Sequence, residues 1–309
     1  MLAPGPPTSS TAPAIPSLGE PLKKPLLALL LSAGVVGAGV GAPAATAAEL
    51  RTVCTAGCDF STIQSAVDAS APGDTIQVQG PLTVAGTTVI TKDVTVTGSG
   101  GATLTQTANA VTVLVTGAGA SLTNLTITSD VPYPKEFIQV GAADVTISGN
   151  TVFGPAQALP MSGWVTNRGL VTQGGITGLT VSGNTFHSLR SGAYLNPNGS
   201  GLIEGNSLYN TKGDFLIDNA NFTFQGNRPG DAAQPSEWGF VVFGSTESSR
   251  YPSMAALSAA NNGMSAWDQR TGEKVVVPLS AQACKDDGWK SFLPSFKNQG
   301  QCIKFVNAG

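Results

Sequence analysis

Three charged side chains of this 309-residue chain could carry out proton chemistry. Arg190 and Lys212 lie 22 positions apart, and Asp214 follows two residues later. If the chain repeats about every 21 residues, Arg190 and Lys212 lie one above the other with Asp214 nearby. A base beside carboxylates suits proton abstraction from a uronic acid, whose carboxylate a cation or Ca²⁺ would neutralise. The alternative is a solvated face with scattered ion pairs of little energetic value.

Four more residues are candidates for binding a substrate near these charges. Trp164 and Arg168 lie in the segment 152–178, which lengthens one repeat, and Tyr194 and Asp218 lie close to the charged triplet in sequence. Long loops on one side of a repeat protein commonly form its binding face. Trp164 could stack on a sugar ring or could anchor the packing of its loop, and both interpretations remain open.

A repeated Gly-Asn pair gives the period. The stretch VTISGNTVF at 145–153 returns as LTVSGNTFH at 179–187, and Gly-Asn recurs at 205–206 and 226–227. These spacings predict a solenoid with a period near 21 residues and with loops inserted on some turns. Gly and Asn both tolerate left-handed backbone angles, so each pair predicts a sharp corner. Asparagines at equivalent corners can also stack into a hydrogen-bonded ladder.

The length of the repeat restricts the fold. About 21 residues are too few for a strand–helix–strand unit, but they suffice for three short strands joined by bends. Alternation of apolar and polar residues predicts which side chains point inward. The inward set is Val145, Ile147, Leu179, Val181, Leu202, Phe222 and Phe224.

A short amphipathic helix is predicted at the start of the repeat region. Ser61 can cap it, and Pro72-Gly73 would end it before the strand TIQVQG. Its apolar face comprises Ile63, Ala66, Val67 and Ala69. Such a helix would cover the open apolar end of the first coil, as terminal caps of repeat proteins do.

The four cysteines fall into two local groups. Cys54 and Cys58 lie near the start of the repeats, and Cys284 and Cys302 lie near the end of the chain. An exported chain with an even number of cysteines is typical of a disulfide protein, and four cysteines allow three connectivities. We favour Cys54–Cys58 with Cys284–Cys302. Zinc is the alternative, but neither pair has the CxxC spacing, so we expect no metal site.

Composition and the first residues indicate an exported protein. Charged residues make up 11% of the chain and the net charge is −3, so no basic patch favours nucleic-acid binding. Residues 23–48 show a basic start, an apolar stretch and a small-residue cleavage pattern, which predicts a signal peptide within a leader at 1–48. We therefore expect a secreted monomer with no membrane span in the mature chain.

The segment TIQSAVDASAPGDTIQVQG, followed by ITKDVTVTGSG and the VTISGNTVF units, resembles right-handed parallel β-helix proteins of the pectin lyase-like group. The resemblance covers roughly residues 54–230. It implies an all-β fold with a β-helix over 49–245 and an N-terminal capping helix. The motifs of polygalacturonases and pectate lyases are absent.

A second resemblance concerns one candidate residue. The stretch GDFLIDNANFTFQGN at 213–227 resembles a segment of pectin methylesterases, and it places Asp214 where that family has its nucleophilic aspartate. Asp218 replaces a glycine of that family, and the upstream Gln-Asp pair of these esterases has no clear match. A carboxylate nucleophile needs a partner acid and a cationic stabiliser.

The last part of the chain, 246–309, is predicted to hold a short helix at 252–263, a hairpin around Thr271-Gly272 and a Cys-bounded tail. That tail resembles one found on secreted actinobacterial proteins. Its aromatic residues, Trp289, Phe292, Phe296 and Phe305, could form a sugar platform, but we expect them to pack a small disulfide-closed cap. Two functions follow from the sequence. The first is binding of a polysaccharide or cell-envelope glycan without catalysis, and the second is a polysaccharide lyase or other carbohydrate-active enzyme that uses Arg190, Lys212 and Asp214.

Overall fold

The chain winds into a solenoid of short parallel strands. The computed structural model describes residues 47–244, 253–278, 280–292 and 296–308. Within these residues, each turn contributes strands to three faces, and strands on successive turns pair in parallel. The antiparallel exception is β19 with β20 near the C-terminal end. The predicted all-β fold with three strands per turn is confirmed, and the predicted leader at 1–48 lies almost wholly outside the described residues.

Eight strands form the first face, which leads into the Gly-Asn corners. They are β1 (Leu50–Val53), the first part of β2 (Thr75–Val84), the first part of β4 (Thr95–Gln106), β6 (Ser121–Thr123), β9 (Thr146–Ser148), β12 (Leu179–Ser182), β14 (Ser200–Glu204) and β16 (Asn221–Gln225).

The second face follows the corners. It comprises the second parts of β2 and β4, β7 (Thr126–Ser129), β10 (Thr151–Phe153), the first parts of β13 (Thr185–Leu195) and β15 (Ser207–Asp218), and β17 (Arg228–Pro229).

The third face closes each turn. It comprises β3 (Thr88–Ile90), β5 (Val113–Val115), β8 (Glu136–Val140), β11 (Arg168–Thr172), the second parts of β13 and β15, β18 (Phe240–Phe243) and β19 (Ala266–Asp268). β20 (Lys274–Val275) forms the predicted hairpin with β19.

The Gly-Asn pairs form the corners between the first and second faces, as predicted. The four glycines, Gly149, Gly183, Gly205 and Gly226, have φ between 62° and 65°. The asparagines are buried, and each side-chain amide donates to the side-chain oxygen of the next one along the axis. The row runs Asn150, Asn184, Asn206, Asn227 and Asn261. The predicted asparagine ladder is therefore confirmed, and it extends one member beyond the four Gly-Asn pairs.

Stacked apolar side chains fill the interior. Ile147, Val181, Ile203 and Phe224 lie in register on the first face, and all are buried. The prediction that Leu202 points inward is wrong. Gly201 pairs with Leu179 and takes the inward position, so Leu202 pairs with outward-facing Thr180 and is only partly buried.

Helices cover both ends of the stack. Helix α1 (Ile63–Ala69) buries Ile63, Ala66 and Val67 against the first coil, whereas Ala69, which was expected on the same face, is exposed. The cap is Thr62 rather than Ser61, since the Thr62 side chain accepts a hydrogen bond from the backbone N–H of Ser65. The predicted short helix near the C-terminal end is α2 (Met254–Ala260), whose Met254 and Leu257 belong to the same core.

Both favoured disulfides are present. Cys54 pairs with Cys58, and Cys284 pairs with Cys302. The second bond joins a 3-10 turn (Ala281–Cys284) to helix α3 (Gln299–Ala308). It lies at the centre of a small apolar cluster separate from the main core, which matches the expected disulfide-closed cap.

Candidate functional site

The three candidate catalytic residues lie close in the fold but face different surroundings. Leu189 pairs with Thr211, and Ser191 pairs with Gly213, so Arg190 and Lys212 are neighbours on successive turns. The stacking that the spacing predicted is therefore present. The side chains nevertheless make separate contacts, and the structure does not gather the three groups into one hydrogen-bonded set.

Arg190 holds the loop that precedes β11. Its Nη1 donates to the backbone oxygens of Met161, Ser162 and Trp164 at 3.3, 2.9 and 3.2 Å. The Trp164 indole is 6% exposed, and its Nε1 donates to the Ala158 oxygen at 2.9 Å. The position of Trp164 fits the interpretation as a packing anchor, because its ring presents no open face for a sugar.

Lys212 and Asp214 lie two residues apart on β15 but differ in burial and in partners. The Lys212 ammonium lies 3.1 Å from the Glu237 carboxylate in a partly exposed ion pair. Asp214 is only 2% exposed, and its Oδ1 accepts hydrogen bonds from Thr211 and Ser236. Burial raises the pKa of Asp214 to about 7, although the two hydroxyl donors partly oppose this shift. The catalytic role of these residues stays a prediction.

Three of the four candidate binding residues form one cluster on the outside of the third face. The Arg168 guanidinium carbon lies 4.9 Å from the centre of the Tyr194 ring, within the range of a cation–π contact. The Tyr194 hydroxyl donates to Asp218 Oδ2 at 3.4 Å. Burial, with a contribution from the Asp218 charge, raises the pKa of Tyr194, so this phenol remains a neutral donor at physiological pH.

The same surface continues onto the next turns with an apolar row that begins and ends with an aromatic residue. Tyr194, Leu216, Val241 and Trp267 are aligned on four successive strands. Since neighbouring strands lie about 4.8 Å apart, this row spans about 14 Å. Phe243 packs edge-on against Tyr194, with ring centres 5.7 Å apart.

Trp238 and Lys274 complete the surface at its C-terminal end. The rings of Trp238 and Trp267 lie 5.3 Å apart. The Lys274 ammonium lies 4.6 Å from the Trp267 ring and 6.0 Å from the Trp238 ring. Among the described residues, Arg168 and Lys274 have no acidic partner within salt-bridge distance. We call this surface the aromatic platform; its members are Arg168, Tyr194, Asp218, Trp238, Phe243, Trp267 and Lys274.

Sequence reasoning missed the C-terminal half of this platform. Val241 and Trp267 are 26 residues apart, and the intervening chain contains helix α2, so the period near 21 does not align them. The useful signal is alternation within the last strand, where Ala266 and Asp268 are buried on either side of the partly buried Trp267. Val241 pairs with Trp267 on that side but is itself only 6% exposed.

The second face carries a different aromatic set. The rings of Phe153, His187 and Tyr209 stack on one another with centres 4.9 and 4.6 Å apart and nearly parallel planes. A Cβ atom at Gly230 would lie 2.3 Å from Tyr209 Cδ1, so the backbone there closes over the outer Tyr209 ring. Burial lowers the pKa of His187. These ring faces cover each other, which fits a structural role.

The first face presents rows of hydroxyl groups. Thr95, Ser121, Thr146 and Thr180 align on four successive turns, and each is followed two residues later by another Ser or Thr. A shallow open groove runs beside this face along the glycine corners. Its lining residues are Ser182, Gly183, Glu204, Gly205, Gln225 and Gly226.

The described residues contain neither a metal-binding cluster nor a membrane-spanning helix. Within them, no group of three or more His, Cys, Asp or Glu residues is arranged to hold a metal ion. No helix in the described part of the chain is long and apolar enough to cross a bilayer. The two disulfides are consistent with an extracellular protein.

Residues 109–250 match a family model for the right-handed β-helix region. Together with the parallel three-faced solenoid, this match supports a right-handed parallel β-helix fold. No curated protein and no solved structure matches the chain. The fold is compatible with carbohydrate-binding and with carbohydrate-active proteins, because one scaffold can host many activities.

Proposed function

We propose that this chain is a secreted protein that binds a polysaccharide or cell-envelope glycan on the aromatic platform without cleaving it. The observation that carries the proposal is the aligned row from Tyr194 to Trp267, flanked by the cations Arg168 and Lys274. Aromatic rings offer apolar surface with polar edges, and that combination suits a sugar. A row of about 14 Å along the axis fits an oligosaccharide better than a single sugar.

The surroundings of the charged residues support binding over catalysis. A carboxylate nucleophile or base must reach its substrate, and Asp214 is enclosed. Arg190 is engaged with three backbone oxygens, and Lys212 is paired with Glu237. A lyase would need these groups to turn toward one groove.

The test is retention of the purified protein on immobilised polygalacturonate, alginate, chondroitin sulfate and peptidoglycan, with and without Ca²⁺. We expect retention on at least one of them, and we expect Tyr194→Ala and Trp267→Ala each to weaken it about tenfold, the loss of about 1.4 kcal/mol. Tyr209→Ala is the matched control, because this partly buried tyrosine lies on the second face.

Two results would overturn the proposal. One is no retention on any polysaccharide, or equal retention of the platform variants and the wild type. The other is release of unsaturated products, detected by ultraviolet absorbance, that disappears in Arg190→Ala or Asp214→Ala. The second result would establish the carbohydrate-active enzyme instead.

A further inference from the structure

Asp214 occupies a position that three neighbouring turns fill with glycine. Leu170, Ala193, Phe215 and Phe240 align on the third face, so the residues before them also form a column. That column is Gly169, Gly192, Asp214 and Gly239. A Cβ atom at Gly192 would lie only 2.5 Å from Leu208 Cδ2 and 2.7 Å from the Asp214 oxygen. The fold thus places a carboxyl group at a crowded corner where its neighbours have no side chain.

Two hydroxyl groups hold this carboxyl, and one of them belongs to a long connection. Thr211 Oγ1 and Ser236 Oγ donate to the same Asp214 oxygen at 2.8 and 2.7 Å. Ser236 Oγ also accepts from the backbone N–H of Thr211 at 3.2 Å. Ser236 lies in the 230–239 connection, which joins β17 to β18. Asp214 therefore ties this connection to the body of the solenoid.

The same connection positions part of the aromatic platform. The backbone N–H of Asp214 donates to the Trp238 oxygen at 2.9 Å, and the N–H of Glu237 donates to the Thr211 oxygen at 2.9 Å. Trp238, whose ring lies beside Trp267, is thus two residues from the Ser236 hydroxyl that binds Asp214. A change at the Asp214 carboxyl reaches Trp238 through the hydrogen bond to Ser236 and the two peptide bonds that follow Ser236.

Charged groups near this site are engaged elsewhere. Lys212 and Glu237 pair with each other on the solvent side. Arg190, on the preceding turn, donates to backbone oxygens of residues 161–164. Asp231, on the connection, accepts from the backbone N–H of Ala233 and the side chain of Gln234. No charged neighbour contributes to the raised pKa of Asp214, whose cause is burial.

We propose that Asp214 is a positioning residue that couples the placement of Trp238, and with it glycan binding, to pH. The expected effect on glycan binding rests on the proposed function. The expected effect on the position of Trp238 does not. When the Asp214 carboxylic acid releases its proton to solvent, a charge remains in an enclosed site with two donors on one oxygen. Opening of the Ser236 contact would let water solvate that charge. It would also remove one of the bonds that hold the 230–239 connection, while the backbone bonds from Asp214 to Trp238 and from Glu237 to Thr211 remain.

The direction of the effect follows from the pKa. The value of about 7 in the folded protein lies above the ordinary 3.8, so the folded state favours the protonated acid. Its contribution to stability is complete below the ordinary pKa and is lost as the pH rises through about 7. We therefore expect the connection to be firmly docked in mild acid and loosened in mild base.

The first experiment needs no ligand. Tryptophan fluorescence of the wild type should show a transition between pH 5.5 and pH 8.5 that is absent in Trp238→Phe and in Asp214→Asn, which cannot ionise. Ser236→Ala removes a hydrogen bond that lowers the Asp214 pKa, so it should move the transition to higher pH. His187→Phe, which preserves the ring stack on the second face, should leave the transition unchanged.

The second experiment repeats the retention assay on the same four polysaccharides across this pH range. We expect binding by the wild type to weaken about tenfold toward pH 8.5, equivalent to a pKa difference of about one unit between bound and free protein. Asp214→Asn should bind equally at both ends. A transition that survives in Asp214→Asn, or disappears in His187→Phe, would overturn the coupling. Absence of retention at every pH would overturn the proposed function alone, since the fluorescence result would still decide the coupling.

Discussion

Replacement of Asn206 by alanine should lower stability far more than replacement of an exposed asparagine. Asn206 is fully buried in the middle of the asparagine ladder. Its Oδ1 accepts from the backbone N–H and the side-chain amide of Asn184 at 2.9 and 3.0 Å. Its Nδ2 donates to the Val181 oxygen and to Asn227 Oδ1 at 2.9 and 2.8 Å. The alanine variant loses all four bonds.

The magnitude follows from these contacts. At about 1 kcal/mol for each hydrogen bond, the four bonds together give a loss of about 4 kcal/mol in the free energy of unfolding. The backbone N–H of Asn184 would remain buried without the acceptor it has in the wild type, which places the cost at the upper end for a single substitution. Ladder neighbours on both sides keep the surrounding coils in place, so the solenoid should still form.

The assay is urea unfolding with both disulfides intact, followed by circular dichroism and by tryptophan fluorescence. Asn109→Ala is the matched control, because Asn109 is exposed in a bend of the same solenoid. We expect a change within about 0.5 kcal/mol for the control. If Asn206→Ala unfolds at the same urea concentration as Asn109→Ala, the ladder does not stabilise the fold as reasoned.

The remaining predictions concern one close approach and the C-terminal cap. Gly201→Ala should lower the free energy of unfolding by about 3 kcal/mol, because the added Cβ would lie 2.0 Å from the Leu179 oxygen. Gly163→Ala is the control in the same urea assay and should be nearly neutral, because open space surrounds the added atom. Cys302→Ser opens the bond to Cys284, which closes a loop of 18 residues, so the cap should lose about 3 kcal/mol. Limited proteolysis should then cleave the cap while the circular dichroism of the strands stays unchanged, since the cap has its own apolar cluster. Loss of the strand signal would instead show that the cap and the solenoid unfold together.

Features that depend on local spacing could be predicted from the sequence. The Gly-Asn pairs predicted the corners and the ladder because the required backbone angles and amide groups are properties of those two residue types. The two local disulfides followed from the grouping of the cysteines. Stacking of Arg190 on Lys212 followed from the period alone.

Features that depend on the register between turns could not be predicted from the sequence. Alternation along the strand predicts that Leu202 points inward, whereas its pairing with Thr180 turns it outward. The burial of Asp214 depends on the 230–239 connection, whose course is not periodic. The contribution of Trp267 to the platform likewise required the pairing of β18 with β19 across a non-repeating segment.

The asparagine ladder has a direction. The amides of four members, Asn150, Asn184, Asn206 and Asn227, each donate to the next asparagine toward the C-terminal end, so these four hydrogen bonds point the same way along the axis. Aligned hydrogen bonds polarise one another, so each amide strengthens its neighbours. At the last member the direction ends, because the Asn261 amide donates back to the Leu257 oxygen of helix α2. Helix α2 thus terminates the row with a matching acceptor and leaves no open donor there on which a further coil, or a second molecule, could continue the stack.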